Sequence, residues 1–399
     1  MSANTPKPPS QLSAHRLDSL ADIDARQWNA LAGGSQPFLR HEFLLALEET
    51  GCASAESGWA PQHLLLRDAQ GQVLAAAPTY LKAHSRGEFV FDFSWANAYQ
   101  QRRLEYYPKL LTAVPFTPVS GARLLIADES QRAGLEAALA AAACEIVRQS
   151  GLSSWHVLFP VEAQATMLTR AGLIQRRDCQ FHWYNHGYGS FEDFLAGFTA
   201  EKRKKAKRER RRVAEAGISF QTLLGGEVDH ALWNALYTFY ADTFHRHGHR
   251  PYLNLAFFKR IAAALPDKLM LKVARMGSEP IAVAIFFRDD DALYGRYWGA
   301  GGNFHSLHFE TCYYQGIEYC IEHGLSRFEP GTQGEHKVPR GFVPTLTSSA
   351  HYIAHPGFDA AIRDFAQREA RAVDEYAQGI NEHLPFHREA ATELRVADF

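Results

Sequence analysis

A chain of 399 residues, 46% hydrophobic and 22% charged, is long enough for two ordinary cores and too apolar to stay disordered. Its formal net charge of -2 gives no global field toward nucleic acid or a membrane, so any such attraction has to be local. The cysteines, Cys52, Cys144, Cys179, Cys312 and Cys320, are odd in number and form no C-x-x-C pair, which reads as reduced thiols rather than a disulfide framework or a zinc site.

The first dozen residues are polar and proline-rich, without an apolar signal core, and no apolar run is long enough to span a bilayer. The cytoplasm is the address this implies. Helices are expected over about 23–31 and 42–49. The apolar stretches 63–67 and 73–81 flank Asp68-Ala-Gln-Gly71, a hairpin signature, and alternation over 88–93 predicts another strand. A short buried strand at 123–126 leads to a helix with the stripe Leu135, Leu139, Ala142 and Ile146. A strand at 155–159, a short helix ending at Gly172 and an extended segment over 173–184 complete the first half. The second half opens with one long helix from about Ser190 to about Gly217. Helices around 233–245 and 255–265 follow, the latter stopped by Pro266. Strands are expected over 269–275, 281–288 and 293–298, then a helix over 308–323 capped by Gly324. Short strands at 326–329 and 352–354 and a charged helix from about 358 to 383 close the chain.

The element order repeats, so two mixed sheets are expected, one within about residues 35–185 and one within about 215–357. The corresponding units are a flexible N-terminus and lead-in helix (1–34), a first domain (35–185), a basic linking helix (186–217), a second domain (218–357), and a C-terminal helix and tail (358–399).

Five strings carry a resemblance: Tyr106-Tyr-Pro-Lys-Leu-Leu-Thr-Ala-Val-Pro-Phe-Thr-Pro118, Gln180-Phe-His-Trp-Tyr-Asn185, Tyr294-Gly-Arg-Tyr-Trp-Gly299, Leu307-His-Phe-Glu-Thr-Cys-Tyr-Tyr314 and Gly334-Glu-His-Lys337. Over about residues 37–386 the chain resembles the FemAB-like N-acyltransferases of the GNAT (acyl-CoA N-acyltransferase) superfamily, related to enzymes of the peptidoglycan interpeptide bridge. The resemblance implies an α+β fold of two tandem GNAT-like domains, each a mixed, mostly antiparallel sheet flanked by helices, with a cleft between them. It implies transfer of an acyl or aminoacyl group to an amine on a small molecule or cell-wall precursor. The donor would be a substrate, acyl-CoA or aminoacyl-tRNA, with no tightly bound cofactor.

Such a transfer needs a base for the amine proton and donors for the oxyanion. No G-x-S-x-G elbow and no cysteine–histidine pairing stands out, so direct attack is favoured over an acyl-enzyme. Tyr294, Arg296 and Trp298 share one strand face, where Arg296 and Trp298 could hold a carboxylate or phosphate or simply stack. Gly301, Gly302 and Asn303 follow before a helix; in GNAT folds this loop cradles the donor pyrophosphate. The usual Q/R-x-x-G-x-G/A pattern is absent, which weakens the case for CoA. His308 and Glu310 adjoin that loop, although an acidic residue in a first helical turn also simply complements the dipole. The segment 328–341 gathers Glu335, His336, Lys337 and Arg340 among glycines at a strand end. Glu335, His336 and Glu310 are the base candidates, with Arg296, Lys337 and Arg340 as anion clamps.

Lys82, Asp92, Trp95, Tyr106, Tyr107 and Lys109 are either acceptor-cleft residues or core. His245-Arg-His-Gly-His249 reads as a helix end rather than a metal site. The run from Lys202 to Arg212 is nearly all basic, which suits a solvated helix face or a phosphate-rich partner such as tRNA. A non-catalytic RNA-binding protein using 202–212 is the alternative that this run keeps open.

Overall fold

The computed structural model describes residues 12–332 and 334–387. Most of the proline-rich start and the end of the tail lie outside the described residues.

Local signals set the first elements. Asp24 caps the helix Ala25–Ala32 by accepting from the Arg26 and Gln27 amides. Strands β1 (Ser13–Leu17), β2 (Trp59–Pro61), β3 (His63–Arg67) and β4 (Val73–Ala77) follow, with Gly71 at φ 81° in the β3–β4 turn. Pro78 cannot donate to a ladder and divides the expected strand 73–81: β4 stays with β3, while β5 (Thr79–Lys82) enters a different sheet. Then come β6 (Lys109–Thr112), β7 (Leu125–Ile126), β8 (Ser154–Leu158) and β9 (Ile174–Tyr184). The second half supplies β10 (Ile218–Leu224), β11 (Leu269–Met276), β12 (Glu279–Arg288), β13 (Ala292–Ala300), β14 (Arg327–Glu329) and β15 (Val343–Ile353).

A small sheet runs β1-β3-β4-β7, and an eleven-stranded sheet runs β10-β11-β12-β13-β14-β9-β15-β8-β6-β5-β2. Two separate sheets were expected; the halves instead share this one. β9 pairs with β14 of the second half, and β15, from near the end of the chain, inserts between β9 and β8. The core is shared as well, since Phe38 packs on Phe287 and Tyr294 with ring centroids 5.2 and 5.1 Å apart.

Two local expectations fail. Residues 88–93 form no strand, because Glu88 and Asp92 turn inward onto Lys109 while Phe89 adopts φ 62°. The helix expected over about 190–217 is two helices, Phe191–Ala196 and Ala200–Glu215, broken where the Thr199 amide donates to the Pro385 carbonyl at 2.8 Å.

Candidate functional site

β13 and β14 pair in parallel only from Ala292–Arg327 to Tyr294–Glu329. Beyond Tyr294, β13 continues beside β12 alone, while β14 ends at Glu329, before Pro330. The gap holds a slot of 160 Å³ lined by Gly295, Arg296, Trp298, His308, Cys312 and Tyr313, among others. A side chain at 295 would crowd Pro330 Cα at 3.2 Å. Trp298 and His308, with centroids 5.4 Å apart, also line an adjoining 300 Å³ pocket that includes Gly302, Asn303 and Arg246.

A larger cleft of 1160 Å³ lies between the halves. His84, Arg86 and Phe116 line it from the first half, and His249, Arg250 and Tyr252 from the second. A 510 Å³ lobe shares Phe89, Phe91 and Thr332 with it and is lined further by Asp178, Glu335 and Tyr376. Slot and cleft share no lining residue; between them stands Arg296, which lines the slot, donates to the Phe116 carbonyl and lies over the ring of Phe89, both of which line the cleft.

A family model described as peptidoglycan biosynthesis/recognition matches residues 19–388. The chain belongs to the FemAB-like family. No curated protein matches. Among solved structures, the C-terminal domain of a protein described as a lysylphosphatidylglycerol synthetase, from Agrobacterium fabrum, is 11% identical with a TM-score of 0.53, over 89% of this chain and 98% of that one. FemX is 12% identical with a TM-score of 0.51, over 86% of this chain and 98% of its own. A conserved protein of unknown function from Bacteroides thetaiotaomicron is 10% identical with a TM-score of 0.50, over 84% and 98%. The fold is the tandem GNAT-like one, its two halves joined by strand exchange.

Within this FemAB-like chain, the predicted residues separate into two groups. Trp298, His308, His336 and Lys337 come together around Tyr313. His336 Nε2 is 2.8 Å from the Tyr313 hydroxyl, and its ring lies 6.1 Å from that of His308. Burial, helped by His336, Arg340 and Lys337, lowers His308 to about 4, so its imidazole is neutral at pH 7. Lys337 is 2% exposed, and its ammonium donates to the Gly331 carbonyl at 2.6 Å. Burial pulls Lys337 down to about 7 against the opposing pull of the Cys312 thiol, with Arg296 adding to the drop. Glu335 accepts from the Tyr376 hydroxyl at 2.8 Å at the edge of the lobe.

Glu310 and Arg340 stand apart. Glu310 is 3% exposed, 3.1 Å from Arg210, and accepts from Gln315 at 2.8 Å. Arg340 donates from Nη2 alone to both Glu209 carboxylate oxygens at 2.9 Å, with its guanidinium 3.4 Å above the Phe309 ring. The helix Ala200–Glu215 pairs both, through Arg210 and Glu209, so the structure does not bring them to the slot with the other candidates. The donor loop is corrected in part. Gly299 and Ala300 remain in β13, a side chain at 299 would meet the Phe239 backbone at 2.2 Å, and the Gly301 amide is already bound to the Ile281 carbonyl at 2.9 Å. Gly302 and Asn303 are left facing a pocket.

Of the first-half candidates, Lys82, Asp92, Trp95, Tyr106 and Lys109 are buried beneath the cleft and Tyr107 is half-buried. Lys109 binds Glu88 at 2.8 Å, Ser85 Oγ at 2.9 Å and Asp92; Tyr106 donates to Asp92 at 2.6 Å. Lys82 donates to the His84 carbonyl at 2.6 Å, fixing the turn that lines the cleft. Burial brings both Lys82 and Glu88 to about 7, in each case against the pull of the opposite charges around it. Sequence reasoning missed Glu88, His156 and His351. The two histidines are buried with Nδ1 atoms 2.6 Å apart, and only the β15–β8 register brings them together. His245 in the last turn of the helix His230–Arg246 and His249 just beyond it line the cleft, with Gly248 at φ 74°. No group of three metal-ligating side chains occurs among the described residues.

Proposed function

We propose that the chain transfers an acyl or aminoacyl group to an amine, with the donor in the β13–β14 slot and the acceptor in the cleft between the halves. The observation that carries this reading is the parting of β13 from β14 at Tyr294, which opens a slot separated from the cleft by Arg296. The acceptor nitrogen forms a bond to the donor carbonyl carbon, the donor's C–S or C–O bond breaks, and the amine proton passes to a base. Glu335 and His336 remain as base candidates. His308 and Trp298 line the slot, and the donor's reactive carbonyl would lie against them. The family's association with peptidoglycan supports a cell-wall precursor as the amine-bearing acceptor.

Purified protein offered CoA thioesters and charged tRNA in parallel should consume one class. The donor so identified should protect the 299–303 loop from hydrogen exchange. Glu335→Gln and His336→Ala replace exposed residues, so each should hold its melting temperature. The variant that removes the base should lower turnover by about 10²–10⁴. If neither donor is consumed and the loop exchanges as before, the reading is wrong; if both variants turn over normally, the base lies elsewhere.

A further inference from the structure

The helix that walls the slot carries one residue too many for an α-helix. Leu307–Phe309 and Gln315–Glu322 are α-helical, but the turn between them, Glu310–Tyr314, is a wider π-helical one. Across it the Gln315 amide donates to the Glu310 carbonyl, five residues back instead of four. Single turns of this kind are rare and occur mostly at functional sites. Here the extra residue decides what faces the slot. In an unbroken α-helix His308 and Tyr313 would stand roughly 140° apart around the axis; with one residue absorbed they stand roughly 40° apart. Their rings accordingly meet at 5.4 Å, and both line the slot, where the Tyr313 hydroxyl lies 2.8 Å from His336 Nε2.

The groups that hold this turn come from the helix Ala200–Glu215. Arg210 donates to Glu310 at 3.1 Å and to Glu318 at 2.7 Å. Carboxylates eight residues apart are roughly 80° out of line on an α-helix, and roughly 20° once one residue is absorbed. The wide turn is therefore what brings both under one guanidinium. Glu209 accepts from the Tyr314 hydroxyl at 2.7 Å, and Arg340, bound to the same carboxylate at 2.9 Å, covers the Phe309 ring. The turn is thus tied at its first residue, at its last and just ahead of it. Glu209, Glu310 and Tyr314 are all buried, so these ties lie away from water, where the loss of one partner is felt most.

We propose that Arg210 and Glu209 are positioning residues of the donor slot, keeping the extra residue in the turn and thereby Tyr313 beside His308. The word donor rests on the transfer reading; the coupling of helix to slot rests on the geometry alone. Without Arg210, Glu310 is left as a buried unpaired charge, and the turn opens to water around it.

Two thiols of the same helix report on this. Cys312 lies in the wide turn, half-buried against the slot, and Cys320 lies beyond it, fully buried. In the folded full chain, Arg210→Met should speed alkylation of Cys312 by iodoacetamide about tenfold and leave Cys320 unchanged, both read by mass spectrometry. Arg210→Lys, which keeps the charge, should restore most of the parent rate. Tyr314→Phe removes one hydroxyl and keeps the ring, so it repeats the measurement should Arg210→Met fail to fold. With the donor class that the parent consumes, Arg210→Met should raise donor KM about tenfold at unchanged acceptor KM, a split that lost stability alone does not produce. Equal acceleration of the two thiols, acceleration of neither, or an unchanged donor KM would overturn the proposal. Selective acceleration of Cys312 with no donor consumed by the parent would leave the positioning role standing and remove the transfer reading; transfer without selective acceleration would do the reverse.

Discussion

Lys337 carries an ammonium into a site that is 2% exposed, where it donates a hydrogen bond to the Gly331 carbonyl. Its lowering from 10.5 to about 7 by burial has a definite sign. Between pH 7 and 10.5 the unfolded lysine holds a proton that the folded one has released, so stability rises with pH across that window and changes little below it. Lys337→Met should therefore exceed the parent in stability by up to about 4 kcal/mol at pH 7, less about 1 kcal/mol for the lost hydrogen bond. The gap should close as pH approaches 10.5. Denaturant unfolding of both proteins at several pH values checks this, and a gap independent of pH would mean that Lys337 is charged in the folded state. The same shift bears on the anion-clamp role. A positive charge on Lys337 is present only below about pH 7, so a donor that needs it should show a rising KM above that pH.

At the scale of elements, the helix Ala200–Glu215 has two distinct faces. Ala206, Glu209 and Val213 are buried, with Arg210 reaching Glu310 and Glu318 beside them, while Lys204, Lys205, Lys207, Arg208 and Arg211 are exposed. The outer face is the one suited to phosphates. If it binds RNA, affinity should fall with salt at a slope near about -0.7 per neutralised phosphate on single strands, and reversing Lys204, Lys205 and Arg208 to glutamate should flatten it. Arg210→Ala is the contrasting variant. It should lose about 3 kcal/mol of stability by leaving Glu310 buried and unpaired, with no change in salt slope. RNA binding that ignores the triple reversal would return the outer face to the role of a solvated surface. Elements were legible where the signal was local: the turn at Gly71, the helix stop at Gly324, and the three strands β11 to β13. They were misread where a distant partner decides. Residues 88–93 alternate like a strand but turn in toward Lys109, and the helix before Ala200 breaks to meet Pro385. The candidate site follows the same rule. Trp298, His308, His336 and Lys337 sit near strand and helix ends, where the sequence marks them as candidates, whereas His156 and His351 look like ordinary strand residues until the sheet register pairs them.

For the whole molecule, strand exchange removes the independence that a tandem architecture suggests. From Val343 to His351, β15 pairs with β9, and from Ser349 to Ile353 with β8, so it is an interior strand of the first half's sheet although it follows the second half in sequence. Without it, β8 and β9 would present facing rows of unpaired backbone groups, and His351 and Ala350 would leave the buried layer they share with His156 and Trp155. The shared packing of Phe38 with Phe287 and Tyr294 ties the halves a second time. Two consequences follow for unfolding. The intact chain should melt in one calorimetric transition, with calorimetric and van't Hoff enthalpies in agreement, rather than in two. A fragment ending at residue 217 should aggregate or remain unfolded, and should recover structure when co-expressed with a chain that supplies 218–387. Separate transitions in the intact protein, or a cooperatively folded first-half fragment, would show that β15 decorates a sheet already stable without it. The cleft would then lie between two bodies free to move, instead of being built across one continuous sheet.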